Sequence, residues 1–271
     1  MSIIYDPDPA QGSFALKATA SATENLQQYI KASNNSFVAV ITATAGTSND
    51  IAYYRIWGDI QGHTSATDIV WPAKTASVTI SDLKFTTTDG IKTVNVQLID
   101  KAGNVTTLTP QTRHYDATNP TCDLWVDAAS QKTVWIAAGS GTKNTTTVYY
   151  SADDKTSNGG SGIKSIVFKL NGTTINPSIS NNSFSFSKAL FPAATTGSSA
   201  NTVSMIVTDN AGNSTTKTVT INIEESFTID SVSLGGHSLY QGYYNDITKT
   251  AITATVNSST APGSGRDILQ V

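Results

Sequence analysis

The chain has 271 residues, of which 38% are hydrophobic and 14% charged, a length that suits two or three domains with cores of their own. Its formal charge of -3 gives no chain-wide positive field, and no run of Lys or Arg supplies a local one, which argues against nucleic acid as a partner. The one cysteine, Cys122, excludes an intramolecular disulfide, so the cores must hold the fold, with Cys122 expected as a buried structural thiol.

The N-terminus, MSIIYDPDPAQG, lacks the basic and apolar regions of a secretory leader. Ile3, Ile4 and Tyr5 precede two Asp-Pro pairs, and together they predict an extended arm over residues 1–11 that could clip onto a neighbouring protein. No apolar run approaches the roughly 20 residues that cross a bilayer, so a soluble chain without a membrane span is expected. ATENLQQYIKAS (22–33) has the best helical potential, but its place between strands predicts a short helix or a loop. SFVAVITATA (36–45), AYYRIWGDI (52–60) and SVTISDL (77–83) then read as strands.

Next comes VQLIDKAGNVTT (96–107), a strand, a tight turn and a strand, and its relative VTDNAGNSTTKT begins at residue 207. At an offset of 109, Val94, Val96 and Leu98 fall on Val203, Met205 and Val207, and Asp100, Gly103 and Asn104 fall on Asp209, Gly212 and Asn213. Apolar residues at every second position mark strands with one buried face, so the repeat is one of structure. TTTVYYSA (145–152) and IKSIVFKLNG (163–172) give the second unit its other strands, flanking the polar loop DDKTSNGGSG. SFTIDSVSL (226–234) opens a third unit that the last residue, Val271, leaves incomplete, as in a fragment of a longer protein or a unit finished by a partner. Thr and Val fit pleated surfaces while Gly, Asn and Ser make turns, and short strands about every 8–12 residues predict β-sandwiches of roughly 100 residues. The predicted divisions are an arm at 1–11, domains at 12–118 and 119–225, and the start of a third at 226–271.

The hairpins with their flanks, DGIKTVNVQLIDKAGN followed by HYDATNPTCDL, resemble the bacterial immunoglobulin-like domain family, whose signature is an Asp-x-Ala-Gly-Asn turn and a linker of the type Asp-Thr-Thr-x-Pro. Asp116-Ala117-Thr118-Asn119-Pro120 departs from that linker at its second position. AYYRIWGDI resembles the modules of this kind in tailed-phage virion proteins, although the second unit has FKLNG in place of the Trp-Gly-Asp element. The resemblance implies an all-β chain of tandem immunoglobulin-like β-sandwich domains with an extended N-terminal arm. It also implies a structural or display protein of a virion, a fibre or decoration protein on head, neck or tail. Partners would then be other virion proteins, met through the arm, and host-surface glycans, with the chain in many copies or as a homo-oligomer. A stalk fragment of a bacterial cell-surface adhesin, or a carbohydrate-binding module, is the alternative.

Candidate chemistry is sparse. Gly103 and Gly212 should supply positive φ, Asn104 and Asn213 should tolerate left-handed backbone, and Asp100 and Asp209 should accept backbone N–H bonds, so the repeated turn is expected to be structural. Asp153 and Asp154 are expected as solvated loop charges, with calcium binding left open because their loop lacks EF-hand spacing. His63, His114 and His237 are isolated, and no nucleophile elbow or phosphate loop occurs, so no catalytic, cofactor or metal residue is assigned. Among the aromatics, Trp57 or Trp125 is expected as the core plug of its sandwich, and Tyr53, Tyr54, Trp71, Trp135, Tyr149 and Tyr150 as further core or sugar-stacking side chains. Tyr240, Tyr243 and Tyr244 are candidates for a contact with a partner chain.

Overall fold

The computed structural model describes residues 5–44, 50–138, 143–192, 199–224, 229–235 and 253–258. Ile3, Ile4, His237, Tyr240, Tyr243 and Tyr244 lie outside them.

The first sandwich contains β1 (Gly12–Lys17), β2 (Tyr29–Ile30), β3 (Ser36–Ala43), β4 (Ile51–Gly58), β5 (Ile69–Val70), β6 (Ser77–Lys84), β7 (Gly90–Asp100), β8 (Val105–Thr107) and β9 (Gln111–Tyr115). One sheet runs β1-β3-β6 and the other β2-β9-β7-β4-β5, with β8 on β7. Alternation along β7 sends Val94, Val96 and Leu98 inward to full burial, where they meet Leu16, Ile41, Ile56 and the stacked pair Phe37 and Phe85, whose rings lie 4.3 Å apart. Burying such side chains contributes about 1.5–3 kcal/mol each, which lets the sandwich form without a disulfide. The segment with helical potential supplies only β2 and one 3₁₀ turn, Ala32–Asn34, because its place is beside β9, which β2 joins in parallel.

The second sandwich contains β10 (Thr121–Val126), β11 (Thr133–Ala137), β12 (Thr146–Asp153), β13 (Ile163–Leu170), β14 (Thr173–Ile175), β15 (Ser183–Phe186), β16 (Ser199–Asp209) and β17 (Ser214–Glu224). Its sheets run β10-β12-β15 and β11-β17-β16-β13-β14. Val203, Met205 and Val207 of β16 are fully buried, as their counterparts in β7 are. β11 joins the last strand, β17, in parallel, as β2 joins β9, so the repeat extends to the edge strands. Beyond these, β18 (Ile229–Gly235) and β19 (Thr253–Ser258) pair antiparallel.

By proximity of their Cα atoms the residues fall into two compact units. One holds 1–123, 151–167 and 206–217, the other 124–150, 168–205 and 218–271.

The tryptophans differ from expectation. The core plug of the first sandwich is Trp71, 4% exposed, whose Nε1 donates to the Thr75 carbonyl at 3.1 Å and whose ring meets Tyr54 edge-on. Trp57 alternates with the buried Ile56 and therefore takes the outer face of β4. Trp125 likewise alternates with Leu124 and Val126, lies half-buried and stacks on Tyr149 at 5.9 Å, while Trp135 is exposed. Cys122 is half-buried rather than buried, and partial burial still pushes its thiol pKa up, away from reactivity.

The Trp-Gly-Asp element is a piece of backbone engineering in β4. Gly58 has φ 131° and its Cα lies against the Thr93 carbonyl, where a Cβ would come within 2.2 Å of the oxygen. Asp59 completes the join, its amide donating to Thr93 O at 2.9 Å and its carboxylate accepting from Thr93 N at 2.8 Å.

Candidate functional site

β7 and β16 each end on an aspartate that must organise a tight reversal. Gly103 and Gly212 take φ 94° and 92°, as a turn of this shape requires. Asp100 Oδ1 accepts from the amides of Ala102 at 2.9 Å and Asn104 at 2.8 Å, and Oδ2 accepts from Asn104 Nδ2 at 2.8 Å. In the second copy Asp209 Oδ1 accepts from Gly212 at 2.6 Å and Asn213 at 2.8 Å, and Oδ2 from Asn213 Nδ2 at 2.9 Å. Asn104 and Asn213 do not adopt the expected left-handed backbone. Their side chains are used as donors instead, and that use reaches beyond the turn.

Asn104 Nδ2 also donates to the Asp6 carbonyl at 3.1 Å, and Asn213 Nδ2 to the Asp116 carbonyl at 3.0 Å. Each turn thus grips the segment that leads into its own sandwich. Asp6 and Asp116 are counterparts in a second respect, since Oδ1 of each accepts the amide two residues on, Asp8 at 3.2 Å and Thr118 at 3.0 Å. From Asp6 onward the N-terminal arm lies on its own sandwich, with Thr106 Oγ1 donating to the Ala10 carbonyl at 2.6 Å and Ala10 buried. Only Tyr5 of the three arm residues is described, and it is 86% exposed.

A third aspartate joins each pair. Carboxylate oxygens of Asp6, Asp50 and Asp100 lie within 4.8 Å of one another, and so do those of Asp116, Asp154 and Asp209. In the second triad all three residues are buried, at 0%, 6% and 0% exposure. This corrects the expectation of solvated loop charges at 153 and 154: Asp153 is exposed, but Asp154 is folded inward. Two glycines allow it. Gly160 packs so closely on the Asp154 carbonyl that a Cβ would come within 1.6 Å, and Gly159, at φ 93°, lies on the Asp89 backbone. The loop amides then close on the acids, Ser161 N donating to Asp116 Oδ2 at 2.7 Å and Gly162 N to Asp154 Oδ2 at 2.5 Å.

Electrostatics distinguish the members of each triad. Burial pushes the Asp154 pKa up, and the Asp116 and Asp209 carboxylates add to this against the hydrogen bonds from Gly162 and Ser161. Burial also raises Asp50, with Asp6 and Asp100 adding and Lys101 opposing. Asp100 goes the other way: burial would raise it, but hydrogen bonds from the Asn104 side chain and from the turn amides outweigh burial and hold it low. Each triad therefore contains one carboxylate whose charge is disfavoured by burial first and by its neighbours second.

Three carboxylates converging without His or Cys form a hard, all-oxygen donor set. A Ca²⁺ ion takes oxygens at about 2.3–2.6 Å, so two ligands on one ion stand at most about 5 Å apart, which the triads satisfy. A bound divalent cation would offset the burial and the repulsion that together raise Asp50 and Asp154, and would tie incoming segment, loop and turn together. Beside the second triad a cleft of about 260 Å³ carries Asp154 on its wall with Asp89, Thr118, Thr121, Asp153 and Lys155.

The triads were only half legible in the sequence. The offset of 109 superposes the turns, but the incoming segments match at 110, and Asp50 matches Asp154 at 104, so no single register shows all three. The available signal was that Asp6-Pro7-Asp8-Pro9 and Asp116-Ala117-Thr118-Asn119-Pro120 both open on Asp and close on Pro. Of the isolated histidines, His114 is tied to the Gly159 carbonyl through Nε2 at 2.8 Å. Asn213→Ala should remove the bonds to Asp209 and Asp116 together and cost about 1–3 kcal/mol, read as a lower urea midpoint with an unchanged slope.

No helix among the described residues is long and apolar enough to cross a membrane. No protein-family model matches the chain, and no curated protein matches it. Solved structures do. The fibronectin(III)-like modules of Clostridium thermocellum CbhA are 13% identical at a TM-score of 0.35, over 78% of this chain and 94% of theirs. A 1.5-MDa bacterial ice-binding adhesin is 17% identical at 0.38, over 85% and 70%. A Ca²⁺-stabilized adhesin that helps an Antarctic bacterium reach out and bind ice is 20% identical at 0.36, over 84% of this chain and 53% of that one. This chain is thus similar to fibronectin III-like and immunoglobulin-like domains, bacterial adhesins among them.

Proposed function

We propose that this chain is a non-enzymatic structural protein, a string of immunoglobulin-like sandwiches that spaces or displays something at a surface, with cations setting the segments that lead into its sandwiches. The observation that carries this is the duplicated joint, in which one turn, one incoming segment and one aspartate triad recur around both Asp100 and Asp209. A catalytic site has no reason to recur with the domain repeat, whereas a device that fixes how the chain enters each sandwich must recur with it. The domain divisions we propose are 12–118 and 119–225 for the two sandwiches, with the start of a third at 226–271.

The carrier we propose is a tailed-phage virion, the chain being a fibre or decoration protein assembled in the host cytoplasm and bound to other virion proteins in many copies. Support comes from the Trp57-Gly58-Asp59 element and its resemblance to virion modules. The second reading, a bacterial cell-surface adhesin stalk, is favoured by the acidic triads, because calcium is plentiful outside cells and sites of extracellular modules are tuned to it. Mass spectrometry of purified virions against shaved cell-surface peptides separates the two. Peptides of this chain in virions support the first, and their confinement to the cell surface sinks it.

A further inference from the structure

The outer face of the six-stranded sheet of the first sandwich is organised in rows. Register places Tyr53 beside Val70 on one side and Ile99 on the other, and Ile99 beside Val105, giving an apolar row in which Tyr53, Val70 and Val105 are 41%, 69% and 48% exposed. The next row is polar and linked end to end. Arg55 Nε donates to Asp68 Oδ1 at 2.5 Å, Arg55 Nη1 to Gln97 Oε1 at 3.1 Å, and Gln97 Nε2 to Thr107 Oγ1 at 3.0 Å. The third row returns to an aromatic ring, Trp57, paired with Asn95. Tyr53 and Trp57 thus stand on one face, roughly 13 Å apart at the usual strand rise, with a ladder of oriented donors and acceptors between them.

We propose that this face binds a neutral oligosaccharide laid along β4, with Tyr53 and Trp57 stacking on sugar rings and the Arg55–Gln97 row meeting hydroxyls between them. Sugars present apolar C–H faces and hydroxyl edges in alternation, and the rows alternate in the same way. An aromatic ring with polar neighbours suits a ligand that is half apolar and half wet. An apolar protein partner fits poorly, because it would bury the Arg55–Asp68 pair without water, at a cost that the pairing offsets only in part. A polyanion fits poorly too, since Arg55 is already neutralised by Asp68 and the chain carries a formal charge of -3. The inference depends on the surface-display reading only for where the glycan is met, so failure to bind sugar leaves the structural role standing.

The test is binding of the full chain to immobilised malto-, cello- and chito-hexaoses and to a sulfated oligosaccharide, followed by titration with any neutral binder, watched by the amide NMR signals of β4 and β7. Binding of a neutral hexaose that falls at least tenfold in both Tyr53→Ala and Trp57→Ala, and stays unchanged in Trp135→Ala, is the expected result. Unchanged amide spectra of the variants outside β4 and its neighbours confirm that they fold, and Tyr53→Ser serves if Tyr53→Ala does not. No neutral hexaose bound, binding kept by both variants, preference for the sulfated chain, or concentration-dependent dimers lost in Tyr53→Ala would each overturn the proposal, the last by assigning the face to a second copy.

Discussion

Calcium at a few millimolar, added to protein stripped of metal, is expected to raise the midpoint of thermal unfolding by about 10 °C or more, as a ligand at 100 times its dissociation constant adds about 2.7 kcal/mol to the folded state. EDTA should reverse the shift. The decisive variant is Asp154→Asn. It leaves the turn at Asp209 untouched and can still accept from the Gly162 amide, while removing the charge that Asp116 and Asp209 disfavour. In metal-free protein at neutral pH it should therefore be neutral or stabilising, and it should abolish the calcium response of the second sandwich. Asp50→Asn should do the same for the first. A calcium shift that survives both substitutions would remove the triads as its source.

The pH dependence has a definite sign. Asp154 and Asp50 have raised carboxyl pKa values, so the folded state binds their protons more tightly than the unfolded chain does. Their effect favours folding below the ordinary carboxylate pKa of about 3.9 and is lost as pH rises through the raised values. Asp100, whose pKa is lowered, contributes stability that is present above the ordinary value and lost as pH falls through its own. Calcium competes with the proton for Asp154 and Asp50, so the calcium-induced rise should be small in acid and grow toward neutral pH. A rise that is equal at both ends would show that the ion binds elsewhere.

Gly58→Ala is the second large effect. The new methyl would enter an oxygen at 2.2 Å, and φ 131° is a region that alanine rarely adopts. Strain of about 1–3 kcal/mol from the backbone and about 1–3 kcal/mol from overpacking predict a loss of roughly 3–5 kcal/mol, enough to unfold a marginal sandwich. Urea denaturation of the variant measures it, and a loss below about 1 kcal/mol would mean that β4 can shift away from Thr93. Since Asp59 bonds the same residue, the Trp-Gly-Asp element is explained by joining β4 to β7, with Trp57 left outside.

Local chemistry made much of the fold legible. Val94, Val96 and Leu98 alternate in the sequence and line the core in the structure, because a strand's two faces are set by residue parity alone. The positive φ of Gly103 and Gly212 and the amide bonds of Asp100 and Asp209 follow from residues within five positions of each other. Tryptophan burial was less legible, since Trp57, Trp71 and Trp125 are equally apolar: strand alternation turns Trp57 and Trp125 outward, while Trp71, just past the end of β5, turns inward with its Nε1 on the Thr75 carbonyl.

By itself, then, the sequence determined an all-β chain with a duplicated turn and a repeat of about 109 residues, because strand alternation and turn geometry act over short spans. Only the tertiary structure decided that Asp154 is inside, that Asp6 belongs with Asp100 and that Asp116 belongs with Asp209. The first depends on a loop with two tightly packed glycines folding back over a turn some 50 residues away, and the other two on Asn104 and Asn213 each reaching a carbonyl almost 100 residues earlier in the chain, closures that no local preference encodes.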